Sequence, residues 1–175
     1  MRPLPRPATS PVAPVGSRPL PSRRERGEQN IKRERHPLPK LVWSVLCAHP
    51  IVDQQTNNVS LINVIEQVQV SLSAIGPFPV TIPMGWSIVT LWRREDLDHP
   101  EQRVGRLRIL GPGGGQLGEA LFEIDLSEHE RARTIATQTH LVLERIGTHR
   151  FIIEVQEDDT WDFRADLPVE VKETE

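Results

Sequence analysis

The sequence predicts an all-β domain behind a basic tail that has no fold of its own. Three observations carry this. Residues 1–40 hold nine of the sixteen prolines, and ten Lys/Arg against three Asp/Glu, with no apolar pattern. From Leu41 onward, short β-branched and apolar runs recur, separated by Gly, Pro, Asn and Asp. No stretch carries the 3.6-residue periodicity of an amphipathic helix.

The 175 residues suffice for one domain and a tail. Charge divides at the same place: residues 1–40 carry +7 and residues 41–175 carry −10, which together make the net −3. An acidic domain repels nucleic-acid phosphates and anionic membrane surfaces, so either partner would fall to the tail. Cys47 is the only cysteine, which excludes an internal disulfide and a cysteine-based zinc site and suits a reducing, cytoplasmic location. No apolar run approaches the ~20 residues of a membrane span. The N-terminus has no apolar h-region, so no secretory signal is expected.

Within the tail, Pro3, Pro5, Pro7, Pro11, Pro14, Pro19 and Pro21 fix φ and remove amide donors, which blocks helix and sheet alike. Disorder with polyproline-II character is expected. Three roles compete. Arg2, Arg6, Arg18, Arg23 and Arg24 precede any acidic residue, as in an organelle transit peptide, although the prolines oppose its helix. The arginines and Pro-x-x-Pro segments could instead engage an acidic partner or an aromatic groove. The third reading gives the tail no role, or makes it the product of a start assigned too far upstream, since no methionine follows Met1 before Met84.

The domain, residues 41–172, reads as strands in order. Leu41–Ala48 is apolar on both faces, as in a buried strand. Pro50–Asn58 supplies turn formers. Val59–Val70 reads as one long strand whose apolar parity changes, which predicts a bulge near Asn63–Gln67. Gly76–Pro79 and Pro83 make a rigid crossover, and Met84–Arg93 is a strand bearing Trp86 and Trp92. Val104–Leu110 alternates cleanly, Pro112–Gly115 turns the chain, and Leu117–Leu126 returns. Ser127–Arg133 is a charged loop or a helical turn. Thr134–Ile146 and Phe151–Gln156 are strands, Asp158-Asp159 is a tight turn, and Trp161–Val171 alternates at period two. Pro168 inside that run belongs on a sheet edge or divides the run. Seven to nine short strands separated by turns predict an antiparallel sandwich of immunoglobulin or fibronectin type, with a closed barrel as the alternative.

Pro39–Cys47 followed by Asn58–Glu66 resembles the N-terminal signature of a family of small bacterial proteins of unassigned activity. Arg106–Gly115, Gly147–Val155 and Leu167–Val171 resemble that family's remaining strands. The resemblance covers about residues 39–171 and implies an immunoglobulin-like sandwich. It carries no activity with it. The tail is not part of the pattern. Sandwiches of this type often place a Tyr two residues after a glycine like Gly147 to anchor a corner. This chain has no tyrosine, and His149 holds that place, where a ring nitrogen can donate the same hydrogen bond.

Each constellation that could carry chemistry has a plainer structural reading. Gly111–Gly115 lacks the Gly-Lys-Ser/Thr ending of a phosphate loop and precedes a strand, so it reads as a hairpin. Cys47 and His49 could form a nucleophilic pair, but a cysteine ending an apolar strand is usually inert. Asp158, Asp159 and Asp162 lack the glycine and terminal Glu of a calcium loop and read as a solvated turn. His140 and His149, with Glu144, are the candidates for a metal-dependent enzyme. Trp86 and Trp92 share the even face of their strand. If Val89 and Leu91 on the odd face were core, the tryptophans with Arg93 and Arg94 would form an exposed partner patch; core placement of the tryptophans is the favoured reading. No catalytic residue, metal ligand or cofactor site is assigned. The expected function is non-enzymatic: a binding or scaffolding module acting through protein–protein contacts. The alternatives are the His140/His149 enzyme and a structural subunit of a phage-derived assembly.

Overall fold

The computed structural model describes residues 37–174. The tail predicted for residues 1–40 therefore lies outside the described residues up to position 36. The chain divides at Glu34/Arg35, and the described residues fall in the second unit. The first strand begins at Lys40, where the composition changes.

The described residues form eleven strands and one helical turn: β1 Lys40–Val52, β2 Val59–Val64, β3 Gln67–Val70, α1 Leu72–Ile75, β4 Val80–Ile82, β5 Trp86–Arg93, β6 Glu101–Leu110, β7 Gln116–Leu126, β8 Arg131–Gln138, β9 Leu141–Leu143, β10 Gly147–Glu157 and β11 Thr160–Glu173. They form a four-stranded sheet in the order β2-β1-β5-β8, a five-stranded sheet in the order β3-β11-β10-β6-β7, and the small pair β4-β9. The described residues are mostly β, as the apolar alternation requires.

Two differences from the sequence reading have one cause. Val59–Val70 is not one bulged strand. It ends at Val64, passes through Ile65-Glu66, and resumes as β3 in the other sheet. The parity change marks this transfer. Because the chain arrives beside β11 running the same way, β3 pairs with β11 in parallel, so the five-stranded sheet is mixed and not purely antiparallel. Thr134–Ile146 likewise divides, with β8 in the four-stranded sheet and β9 paired with β4. These divisions, and the short β4, raise the count above the seven to nine strands expected.

Pro168 sits within β11, opposite Arg150 of β10. On its other side β11 meets β3 only from Glu170 onward, so at Pro168 the strand is locally an edge and lacks no ladder donor.

The two larger sheets share one core. The four-stranded sheet contributes Leu46, Trp86, Ile88 and Trp92; the five-stranded sheet contributes Leu107, Ile124, Phe151, Ile153, Val155 and Val169. Two aromatic contacts cross between them. Trp86 meets Phe151 edge-on at 5.2 Å and 82°, and Trp92 lies 6.4 Å from Phe122.

Candidate functional site

The alternative of an exposed aromatic patch does not form, and the tryptophans take the core placement. Trp86 is 1% exposed and Trp92 is fully buried, because the even face of β5 is the core face. Each indole N–H is satisfied internally, Trp86 Nε1 by the carbonyl of His140 at 2.9 Å and Trp92 Nε1 by Thr90 Oγ1 at 2.7 Å. Arg94 is half-buried and donates to the carbonyl of Leu126 at 3.3 Å. Arg93 is exposed, pairs with Glu95 at 3.4 Å, and stands in register between Lys40 and Arg131.

The titratable candidates separate. Cys47 is buried, and burial pushes its thiol up, away from the nucleophilic thiolate; His49 is exposed. Asp158, at φ +51°, and Asp159 form the two-residue turn between β10 and β11, and Asp162 pairs with Arg164 at 3.0 Å. Gly111–Gly115 closes the β6–β7 hairpin through Gly111 N to Gly115 O and Gly114 N to Gly111 O, both 2.8 Å, with Gly114 at φ +81°. Among the described residues, no three His, Cys, Asp or Glu side chains converge to hold a metal ion.

His149 and His140 do not share a site. His140 is exposed in the β8–β9 connection, whereas His149 is fully buried on the inner face of β10. Its Nδ1 lies 3.2 Å from the carbonyl of Gly147, which can only accept, so Nδ1 carries the proton. The bond lies within β10 itself, two residues upstream, and does not tie the strand to a corner. Nε2 is buried without a partner. Burial pushes the imidazole below its ordinary 6.5, against the opposing pull of the Gly147 carbonyl and Glu144. The unfolded chain therefore binds a proton that the folded chain refuses, and stability falls as pH drops from about 6.5 toward the folded value. In chemical denaturation across that window, His149→Phe should flatten the pH slope of the unfolding free energy.

The outward face of the five-stranded sheet carries a buried charge cluster. Glu154 of β10 is 7% exposed and is gripped by two arginines of β6: Arg106 Nε at 2.7 Å, and Arg108 Nε and Nη2 at 3.0 and 2.7 Å. The Arg106 guanidinium also stacks 4.1 Å over the Trp161 ring. Burial raises the Glu154 carboxyl, but the hydrogen bonds and charges of Arg108 and Arg106 outweigh it and hold the group below its ordinary 4.5. The cluster therefore stabilises the fold above that value, and the contribution is lost as pH falls through the folded value. Glu154→Gln should cost about 1.5–3 kcal/mol at neutral pH and little in acid, measured by urea denaturation at both. Every charge in this cluster is spent on its neighbours, which makes it a clamp between strands.

The β1–β2 hairpin differs. β1 pairs with β5 only as far as Cys47–Ser87; beyond it the strand pairs with β2 alone. The turn is built by Asp53, whose carboxylate accepts from the amides of Gln55 at 2.8 Å and Thr56 at 3.3 Å, and by Asn57 at φ +54°. Arg133 of β8 donates to Asn57 Oδ1 at 3.2 Å and Asn57 O at 2.8 Å. Arg133 stands opposite Leu91, and the hairpin leaves β5 at Ser87, so the hairpin folds back along β5. Cys47, Ser87 and Val89 point away from the core yet are buried.

The hairpin leaves apolar surface in water. By register, Ile51 of β1 and Ile62 and Val64 of β2 lie on one face of it, and they are 54%, 41% and 54% exposed. β2 ends the four-stranded sheet, so among the described residues its far side has no ladder partner. Its sequence, Val-Ser-Leu-Ile-Asn-Val, carries no charge and no proline. Native edge strands are usually blunted by Lys, Pro or a covering loop. Only Asn63, at φ +55°, interrupts this one. Sequence reasoning missed the site because nothing local to Val59–Val64 says that β2 is an edge.

Compared with known proteins, the chain matches no family model and no curated protein. No helix among the described residues is long and apolar enough to cross a membrane.

Proposed function

We propose that this protein is a non-enzymatic binding module, an immunoglobulin-like sandwich of the small bacterial family that its strand motifs resemble. It works in the cytoplasm by pairing β2 with an extended segment of another protein. The observation that carries the reading is the uncharged, apolar edge of β2, unpaired among the described residues and continuous with exposed Ile51, Ile62 and Val64. In strand addition, backbone hydrogen bonds supply affinity and alternate side chains supply selectivity. The partner segment this edge suits is extended and β-branched, with apolar residues at alternate positions to cover Ile62 and Val64. A polar rim is at hand in Ser60, Asn63 and His49, all exposed.

Affinity capture from the native host tests the reading. The full chain and its Ile62→Lys variant are used side by side, since a charge on an edge strand opposes pairing. A partner retained by the wild type and lost by the variant supports strand addition at β2. A partner retained equally by both rejects it.

A further inference from the structure

We propose that a cavity beside β7 is a binding site for a small, uncharged, ring-sized ligand bearing one hydroxyl or carbonyl group. The cavity holds about 120 Å³ and lies between β7 and the β8–β9 connection. Buried Trp86 and Leu107 line its depth with Ile109, Gly118 and Ala120 form its wall, and exposed His140 stands at its mouth with Gln138.

The void follows from the side chains that β7 turns inward. Along the strand these are Gly118, Ala120, Phe122, Ile124 and Leu126, small at one end and large at the other. Across the ladder, Phe122 faces Gly105, Ala120 faces Leu107 and Gly118 faces Ile109. The first pair is complementary, since a Cβ on Gly105 would come within 2.1 Å of the Phe122 ring. Gly118 has no such reason to be glycine. A Cβ there would meet only Ile109, at 3.5 Å, which is ordinary contact, and its φ lies outside the left-handed region. Room for a side chain therefore exists and is left empty, whereas protein interiors normally close such space.

Size and lining define the ligand. The space is somewhat smaller than the apolar cavity of about 150 Å³ that accommodates benzene, so one small ring is the upper limit and a larger skeleton is excluded. The one ionised lining residue, Glu119, is exposed and accepts from the Gln116 amide at 3.2 Å, so an ionised group in the depth against Trp86 and Leu107 would lose hydration without a charged partner, and the buried part is uncharged. His140 and Gln138 at the mouth can hydrogen-bond a single polar substituent. The site uses no residue of β2 and is independent of strand addition.

Phenol titrated into the isotope-labelled full chain tests this by amide and indole resonances. The expected result is a saturable shift of the Trp86 indole N–H, which donates to the His140 carbonyl beside the cavity, and of the Gly118 amide. Gly118→Val fills the space and should weaken phenol binding at least tenfold while the domain stays folded. Ala120→Leu serves the same purpose should the first variant unfold. Non-saturating shifts, undiminished binding in a folded variant, or unfolding of both variants would each overturn the proposal, the last because it would mean that no room exists to fill.

Discussion

Trp92→Ala should lower the stability of the domain by about 3–5 kcal/mol, the usual cost of emptying a large aromatic site in a core. Three features of the site place it at the upper end. The side chain is fully buried. It reaches across the sheet interface to Phe122. Its removal also strands Thr90, 1% exposed, whose hydroxyl accepts from the indole at 2.7 Å. Small domains hold only about 5–15 kcal/mol in total, so the variant should unfold at much lower urea concentration with a similar denaturant slope. An unchanged midpoint would mean that the indole is not part of the core. Arg93, one residue on and exposed, gives the contrast: Arg93→Ala should fall within about 0.5 kcal/mol of wild type.

The second large effect is on binding and leaves stability nearly alone. Ile62→Lys should weaken partner affinity at least tenfold, or about 1.4 kcal/mol, while shifting stability by no more than about 0.5 kcal/mol. The asymmetry follows from position. Ile62 is 41% exposed and faces solvent, so a lysine there disturbs little of the fold. The same ammonium would meet the apolar side of an added strand and would have to be desolvated with it. Isothermal titration with the captured partner reads the affinity, and urea denaturation reads the stability. A variant that loses stability but binds normally would place Ile62 in the fold and not at a docking edge.

The strands that sequence reasoning located best are those bounded by strong turn chemistry. Pro112–Gly115 separates β6 from β7, and Asp158-Asp159 separates β10 from β11, so local residues mark the strand ends at these turns, whereas β6 and β10 begin at Glu101 and Gly147, ahead of the Val104 and Phe151 read from sequence. It failed where apolar alternation runs on while the chain changes sheets. Ile65-Glu66 carries no glycine or proline, yet β2 and β3 belong to different sheets. Periodicity reports which side of a strand is covered, not which strand covers it. The facing of Trp86 and Trp92 was ambiguous for a related reason. β5 is buried on both sides, by the core beneath Ile88 and Trp92 and by burial of Ser87 and Val89 on the other face, so both parities are rich in apolar residues. His149 was legible from its spacing to Gly147, because that hydrogen bond spans only two residues. The exposed edge of β2 and the space over Gly118 depend on sheet order and on register, and both are long-range properties.

Amide hydrogen exchange of the full chain, with and without its captured partner, tests the central claim most directly. Exchange slows when an amide enters a hydrogen bond that must open before solvent reaches it. If a partner strand adds to β2, amides within Val59–Val64 that exchange quickly in the free protein should become protected in the complex, and those of β5 and β10, already within ladders on both sides, should change little. Protection that appears elsewhere, with β2 exchanging as fast in the complex as in the free protein, would contradict strand addition at this edge.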